Sequence, residues 1–321
     1  MKDFCVVGSG IAGSTIANLL KKKYSVEIFD KARGPGGRAS NRRYKNNLSF
    51  DHGLQYISPN SNSFKKFILT LKKKNIVKEW SGNHLDFSFK KKNDLIKYLG
   101  KKGNNDICKN LIKNIKTNYL SEVVNINFNS SFWTITLKNK DKFFFKNIIL
   151  TCPYPQLKKL SSKYLNRKVL SLSPEMMPNI TVMAAYKDYQ KIPINSIKFD
   201  DDIIAWASNE NTKKRFTSNL TLWTIQTNIK YSKKVINLYK YNKKKYQLEI
   251  QKKFENLTGF KNDKIVDTSI HGWKYAYSNQ PTASIKSSWD KKFNLGICAD
   301  WFSGPKVEDA WLSAYDLFKK I

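Results

Sequence analysis

The run Gly8-Ser9-Gly10-Ile11-Ala12-Gly13 constrains the fold more than any other feature of this 321-residue chain. It lies between an apolar segment, Asp3 to Val7, and a helical pattern from Ile11 to Lys22; a second apolar segment, Tyr24 to Phe29, then ends at Asp30. Strand, glycine turn, helix and strand make a βαβ unit. In such a unit the first glycine permits the tight turn, the second lets backbone approach a pyrophosphate, and the third lets helix and strand pack closely. The helix start at Ile11 and Ala12 supplies amides and the positive end of the helix dipole. Asp30 comes about twenty residues on, where a carboxylate accepts from ribose hydroxyls and disfavours a 2′-phosphate. These residues predict a dinucleotide site.

A second glycine loop, Lys31-Ala32-Arg33-Gly34-Pro35-Gly36-Gly37-Arg38-Ala39-Ser40, follows Asp30 directly. Adjacent glycines bring backbone amides close to a second phosphate, and Arg38 can neutralise it with a forked guanidinium. A NAD dehydrogenase would run from the acid into an ordinary crossover. A Gly-Gly-Arg loop in this place is instead the pattern of the glutathione-reductase-like flavoproteins, amine oxidases among them. It selects FAD as the cofactor, with Lys31, Gly37 and Arg38 among the residues that hold it.

Three further segments bear on chemistry. Phe50-Asp51-His52-Gly53-Leu54-Gln55-Tyr56 is a strand ending in a glycine turn, similar to the segment that passes beside the flavin ring in amine-oxidase-like proteins. Asp51, His52 and Gly53 are its cofactor-side candidates; His52 is read first as a turn cap and second as a group acting on substrate. Near the C-terminus, Leu295 to Asp300 is an apolar strand, followed by a helix with Pro305 near its first position and Glu308 and Asp309 in its first turn. Such a helix aims its positive end at the preceding loop, and Asp300 at the strand end suits a hydrogen bond to the ribityl or phosphate side. In Ile270-His271-Gly272-Trp273-Lys274-Tyr275-Ala276-Tyr277, aromatics beside a cation either wall a substrate cavity or form an ordinary packing strand.

Composition narrows the alternatives. The formal net charge is +33, yet only six of the 58 basic residues are arginine, and the lysines spread over the whole chain. That pattern fits codon bias in an AT-rich genome, whereas a phosphate-reading surface uses arginine forks gathered on one element. No specific nucleic-acid partner is expected, only non-specific adhesion at low salt. Cys5, Cys108, Cys152 and Cys298 show no C-x-x-C spacing, and His52, His84 and His271 show no metal-ligand spacing, so a metal site is not expected. No apolar run approaches the roughly 18 residues of a membrane span, and the N-terminus reads directly into a strand. A cytoplasmic protein without a membrane partner is the expectation.

The fold class is therefore α/β: a Rossmann-type FAD-binding domain of glutathione-reductase-like form, with an inserted antiparallel-sheet α+β substrate domain. The expected division places 1–58, 99–160 and 266–321 in the first domain and 59–98 and 161–265 in the second. Strands are predicted at Ser49 to Asp51, Asn118 to Asn125, Phe132 to Lys138, Lys142 to Phe145, Ile148 to Leu150, Ile180 to Tyr186, Ile203 to Ser208 and Leu220 to Thr227. Helices are predicted at Asp106 to Ile115 and around Val235 to Leu257.

Taken in order, GSGIAGS, KARGPGGRAS, FDHGLQY, LTCPYPQ, AWASNENTKKR, HGWKYA and ADWFSGPKVEDAWLSA resemble the renalase-like family of FAD-dependent oxidoreductases, a branch of the flavin amine-oxidase superfamily. The resemblance covers nearly the whole chain. It implies a two-lobed fold, non-covalent FAD, and hydride transfer from small dihydronicotinamide isomers of NAD(P)H to flavin N5, with dioxygen as the electron acceptor. Residue by residue, Gly8, Gly10, Gly13, Asp30, Gly37 and Arg38 match the FAD motifs, Asp300 and Val307 the closing motif, and His271, Trp273 and Tyr275 the catalytic cavity. Ala299 stands where the family has glycine, and Gly272, Lys274 and Lys306 stand where it generally has arginines; an ammonium does not replace a guanidinium fork at an anion. Amine oxidation or desaturation, also run on this fold, is the alternative chemistry. A dinucleotide-binding or nucleic-acid-binding protein without catalysis is the alternative of another class.

Overall fold

Strand β1 (Lys2–Val7) is buried through its centre, as a strand inside a parallel sheet must be. It pairs in parallel with β2 (Val26–Phe29) on one side and with Lys142–Leu150 on the other. Between β1 and β2 the chain crosses over as α1 (Ile11–Leu20), a helix buried along nearly all its length. The computed structural model describes residues 1–88, 90, 96–187, 193–259, 265–278 and 285–321.

The first sheet runs Ser287–Asp290, Leu295–Cys298, Lys142–Leu150, β1, β2, Lys116–Asn118, with Phe132–Leu137 and Val123–Asn129 added as an antiparallel meander on Lys142–Leu150. The two short apolar runs predicted at 142–145 and 148–150 are one strand. Its first half serves the meander and its second half serves β1 and Leu295–Cys298. One side of this sheet is covered by α1 and the closing helix Val307–Phe318, with Ile16, Leu20, Ala314 and Leu317 in a single apolar core. The parallel Rossmann-like sheet expected from the glycine turn is present.

The second sheet runs Ile265–Ser278, Met176–Tyr186, Thr221–Thr227, Ile204–Asn209, Ile194–Lys198, Asn83–Leu85, antiparallel except for the last pair. Helix Lys243–Thr258 covers one face, packing Ile250 and Phe254 over Ile180, Val182 and Trp223. The helix predicted around Val235 to Leu257 is two helices, Ile229–Val235 and Lys243–Thr258. Asn242 breaks it by accepting from the amide of Lys245 at 3.0 Å, a side-chain cap that starts a new helix. Similarly, the closing helix begins at Val307 with Lys306 as its cap, so Pro305 precedes the helix instead of opening it.

Two segments sit differently from the expected division. Ile265–Ser278, assigned by sequence to the nucleotide lobe, pairs along Met176–Tyr186 in the second sheet. The reason is burial: Met176–Tyr186 is buried at nearly every position, so it is a central strand and needs a partner on each edge. Helix Asn62–Lys73, assigned to the substrate lobe, packs Phe64 on Trp311 of the closing helix at 5.4 Å and joins the core of the nucleotide lobe.

The glycine turn is rigid for steric reasons. Gly8 has φ +105°, a region side chains rarely enter, and a Cβ on Gly13 would overlap the Gly8 carbonyl and lie 2.9 Å from Thr151 Oγ1. Gly34 has nothing within 4 Å of such a Cβ. In urea unfolding, Gly13→Ala should therefore lose stability by about 1–3 kcal/mol, the range for forced overpacking, while Gly34→Ala should be near neutral.

Candidate functional site

The two glycine loops meet. The Gly36 amide donates to the Ser9 carbonyl at 3.0 Å, and a Cβ on Gly37 would stand 3.3 Å from the Cα of Gly10. Backbone thus faces backbone with no side chain between. No side chain caps the start of α1 at Gly10, so its first-turn amides are open to an anion. Beside Gly36, the Oδ1 atom of Asn105 is buried without a hydrogen-bond partner, as an atom awaiting a ligand donor or water would be. A glycine cradle, uncapped amides and an orphaned acceptor fit a dinucleotide.

Asp30 organises this cradle from within. Its Oδ2 accepts from the Ser9 amide at 2.7 Å and the Ser9 hydroxyl at 2.5 Å, and its Oδ1 accepts from the Ala32 amide at 2.8 Å. The acid that the sequence assigns to a ribose therefore also ties the first glycine turn to the start of the second. Lys31 is exposed beside it.

Arg38 joins three distant segments. Its guanidinium bonds Asp300 Oδ1 at 2.7 Å and the Ala276 carbonyl at 3.0 Å. The sequence places Arg38 and Asp300 separately along the cofactor; the structure pairs them, with the buried Asp300 carboxylate balancing the arginine charge. The closing helix is anchored nearby. Asp309 accepts from the Lys306 amide at 2.9 Å, Glu308 accepts from the amides of Asn60 and Ser61 at 2.7 and 2.8 Å, and Val307 packs against the core shared with α1.

Next to the second glycine loop, where the Leu54 amide donates to the Arg38 carbonyl at 2.9 Å, stands an aromatic wall. The imidazole of His52 lies 5.1 Å from the Trp273 ring and 5.0 Å from His271, and His271 lies 4.4 Å from Trp273. Trp273 Nε1 donates to the His52 carbonyl at 2.8 Å, and a Cβ on Gly53 would overlap the Arg38 carbonyl and sit 3.2 Å from the Trp273 ring, so only glycine fits there. Burial, followed by the charges of His271 and Arg42, brings the His52 pKa down to about 3; burial and Arg42 lower that of His271. Both rings are neutral at physiological pH.

Of the three predicted cavity residues, His271 and Trp273 share this wall. Tyr275 lies within a bulge, between Trp273 opposite Asn179 and Tyr277 opposite Met177, that breaks the strand alternation, and Lys274 Nζ stands 5.7 Å from its ring. Gly272 is explained by packing: Tyr239 presses on the strand there, a Cβ would meet its ring at 2.5 Å, and its hydroxyl accepts from the Gly272 amide at 3.1 Å. A cleft of about 290 Å³ lies on that outer side of the strand, lined by Tyr239, Lys240, Gly272 and Lys274 among others.

Sequence reasoning missed the polar core beneath the wall. Asp51 is fully buried; its Oδ2 accepts from Arg215 at 2.5 Å and Lys213 at 3.0 Å, its Oδ1 from Asn41 at 3.0 Å and the Asn104 amide at 3.3 Å. Burial would raise its pKa, but the charges of Arg215 and Lys213 outweigh it and hold the carboxyl well below the usual carboxylate range. Glu210, also buried, accepts from Lys213 at 2.9 Å and the Thr224 hydroxyl at 2.6 Å; burial, against the attraction of Lys213, pushes its pKa up.

Known proteins bear out the architecture. Residues 6–70 match the family model of the NAD(P)-binding Rossmann-like domain. The whole chain is similar in structure to a protein from Exiguobacterium sp. 255-15 provisionally described as a protoporphyrinogen oxidase, with a TM-score of 0.75 at 9% identity over 99% of this chain and 98% of that one. It is likewise similar to wild-type putrescine oxidase bound to putrescine, with a TM-score of 0.73 at 10% identity and the same coverage. At such identities the likeness is one of fold. It covers both lobes.

His52 should make stability pH-dependent. An unfolded histidine titrates near ~6.5, so between that pH and about 3 the unfolded chain binds a proton that the folded chain refuses, and stability falls as pH is lowered. Relative to pH 7, the loss from this group at pH 5 should be about 2 kcal/mol. Thermal melts of His52→Gln should show a smaller drop in Tm from pH 7 to pH 5 than the wild type.

Proposed function

We propose that this chain is an FAD-dependent oxidoreductase of the renalase-like type, oxidising small dihydronicotinamide isomers of NAD(P)H, with dioxygen taking the electrons. The observation that carries this reading is an adjacency: two glycine loops joined backbone to backbone, and, against the Arg38 carbonyl of the second, a cluster of two neutral imidazoles and an indole. When bound, FAD would supply the redox chemistry, accepting a hydride at N5 and passing electrons on to dioxygen.

The protein's share is binding and orientation. Gly8, Gly10, Gly13, Gly36 and Gly37 would let backbone approach the pyrophosphate, the uncapped start of α1 would supply amides and its positive dipole end, and Arg38, its charge balanced by Asp300, would keep its remaining N–H groups for hydrogen bonding. His52, His271 and Trp273 would stack a planar ring and exclude water from it. Neutral rings take a planar heteroaromatic ring by stacking or an ammonium group by cation–π attraction, and the carboxylates favour the first: Asp51 is paired with Arg215 and Lys213 and Asp300 with Arg38, leaving neither to receive a cation. The fold likeness to putrescine oxidase makes amine oxidation the rival to be tested.

The direct test is anaerobic mixing of the yellow protein with dihydronicotinamide isomers, amines and polyenes in turn. Bleaching of the flavin by an isomer alone supports the proposal. Bleaching by putrescine or a polyene but by no isomer refutes the substrate while leaving the fold intact. Arg38→Ala should weaken FAD retention by roughly 1.5–3 kcal/mol, the scale of a charge-assisted hydrogen bond, measured as flavin lost on dialysis. Trp273→Ala should keep its flavin but be reduced about 10²-fold more slowly in stopped flow, the scale of lost positioning.

A further inference from the structure

Asp51, Glu210, Lys213 and Arg215 meet where the two lobes touch, and the exposure of their side chains ranges only from 0% to 2%. A buried ion network is a weak source of stability, because desolvation offsets most of the attraction and well-packed apolar residues often serve as well. What such a network can do is fix one geometry. Here that geometry is the backbone of the turn Asp51 to Gln55.

Every carbonyl of this turn has a side-chain donor. Asn104 Nδ2 serves Leu54 and Gln55 at 2.7 and 3.2 Å, Gln55 Nε2 serves Asp51 and Gly53 at 2.5 and 3.0 Å, Gln226 Nε2 serves Gly53 at 2.8 Å, and Trp273 serves His52. These donors are themselves held by the ion network and its neighbours. Arg215 bonds Asn104 Oδ1 at 3.1 Å and the Gly100 carbonyl at 3.1 and 3.0 Å, and the Ser208 hydroxyl donates to Gln55 Oε1 at 2.7 Å. Lys213, Arg215, Ser208 and Gln226 all belong to the second sheet or the connection between its strands Ile204–Asn209 and Thr221–Thr227. The turn follows the strand Ser49–Asp51, which pairs with Asn41–Arg43, and its Leu54 packs against the core around α1, yet it is gripped from the second sheet.

We propose that Lys213 and Arg215 are positioning residues: through Asp51 and Asn104 they hold the turn Asp51 to Gln55, and with it His52, so that the substrate lobe sets the geometry of the wall facing the cofactor. The role in catalysis rests on the flavin reading of the site; the mechanical hold does not. An ion pair with a single acceptor would need only one cation. Two cations on Asp51 Oδ2, one of them a fork that also grips Asn104 and Gly100, constrain direction as well as distance.

The test compares FAD-loaded wild type with Arg215→Lys and Lys213→Met by hydrogen exchange and by visible circular dichroism of the flavin. Exchange in a peptide covering residues 50–57 should rise about tenfold or more through local opening, while a peptide from β1 stays protected. Flavin content should be unchanged and the visible dichroism altered, because that signal reports asymmetric contacts around the ring. Lys213→Met leaves the buried Asp51 and Glu210 carboxylates short of a cation, so its Tm should fall, and continued protection of the β1 peptide shows that the chain is still folded while the turn has loosened. Unaltered exchange and dichroism in both variants would overturn the proposal. A wild type that holds no flavin would refute the flavin reading, and the exchange data would then decide the hold alone.

Discussion

Where Gly10 faces Gly37, main chain meets main chain, and most of the site follows from that contact. A side chain at Gly37, whose φ is +53°, would press on Gly10 at 3.3 Å and crowd the space in which a diphosphate can reach backbone amides. The contact also fixes where the second loop must go next. Arg38, one residue on, is delivered to Asp300 and Ala276, so the second glycine loop, the end of the closing strand and the edge strand of the second sheet are tied at one point. Asp30 locks the same cradle from below through Ser9 and Ala32.

From that point the two lobes are coupled by polar groups as well as by the apolar contacts of Leu48 and Phe50 with Met183, Ala185 and Leu222. The cores of the lobes are separate clusters, one around α1 and the closing helix and another beneath helix Lys243–Thr258. Between them lie the ions around Asp51 and the donors to the turn that follows it. Polar interfaces are sensitive to direction, and a fully satisfied buried network specifies one arrangement where an apolar surface tolerates several. A wall that must present two imidazoles and an indole in a set relation benefits from such a constraint.

The local motifs were legible in the sequence because each is contiguous and demands unusual backbone. Gly8, Gly13 and Gly37 are required by positive φ or by close approach, conditions that only glycine meets, and the strands and helix between them follow from hydrophobic period. Tyr275 illustrates where periodicity ends: alternation puts it with His271 and Trp273, but a bulge opposite Met177 and Asn179 intervenes, and a bulge leaves no mark in a run of aromatics. The ion network was illegible for another reason. Its members, Asp51, Asn104, Glu210, Lys213 and Arg215, are scattered over more than half the chain, and a lysine is hard to single out among 58 basic residues. One signal was present. With only six arginines in a chain whose composition favours lysine, each arginine is informative, and Arg38 and Arg215 are the two that pair with the buried Asp300 and Asp51.

We propose that the joined glycine loops hold FAD without a covalent bond. Heat denaturation of the purified protein followed by chromatography and mass analysis of the supernatant tests this most directly. Intact FAD should be released into solution and the precipitate should be colourless. Release of FMN or NAD, flavin retained in the precipitate, or no nucleotide after reconstitution with FAD would contradict it.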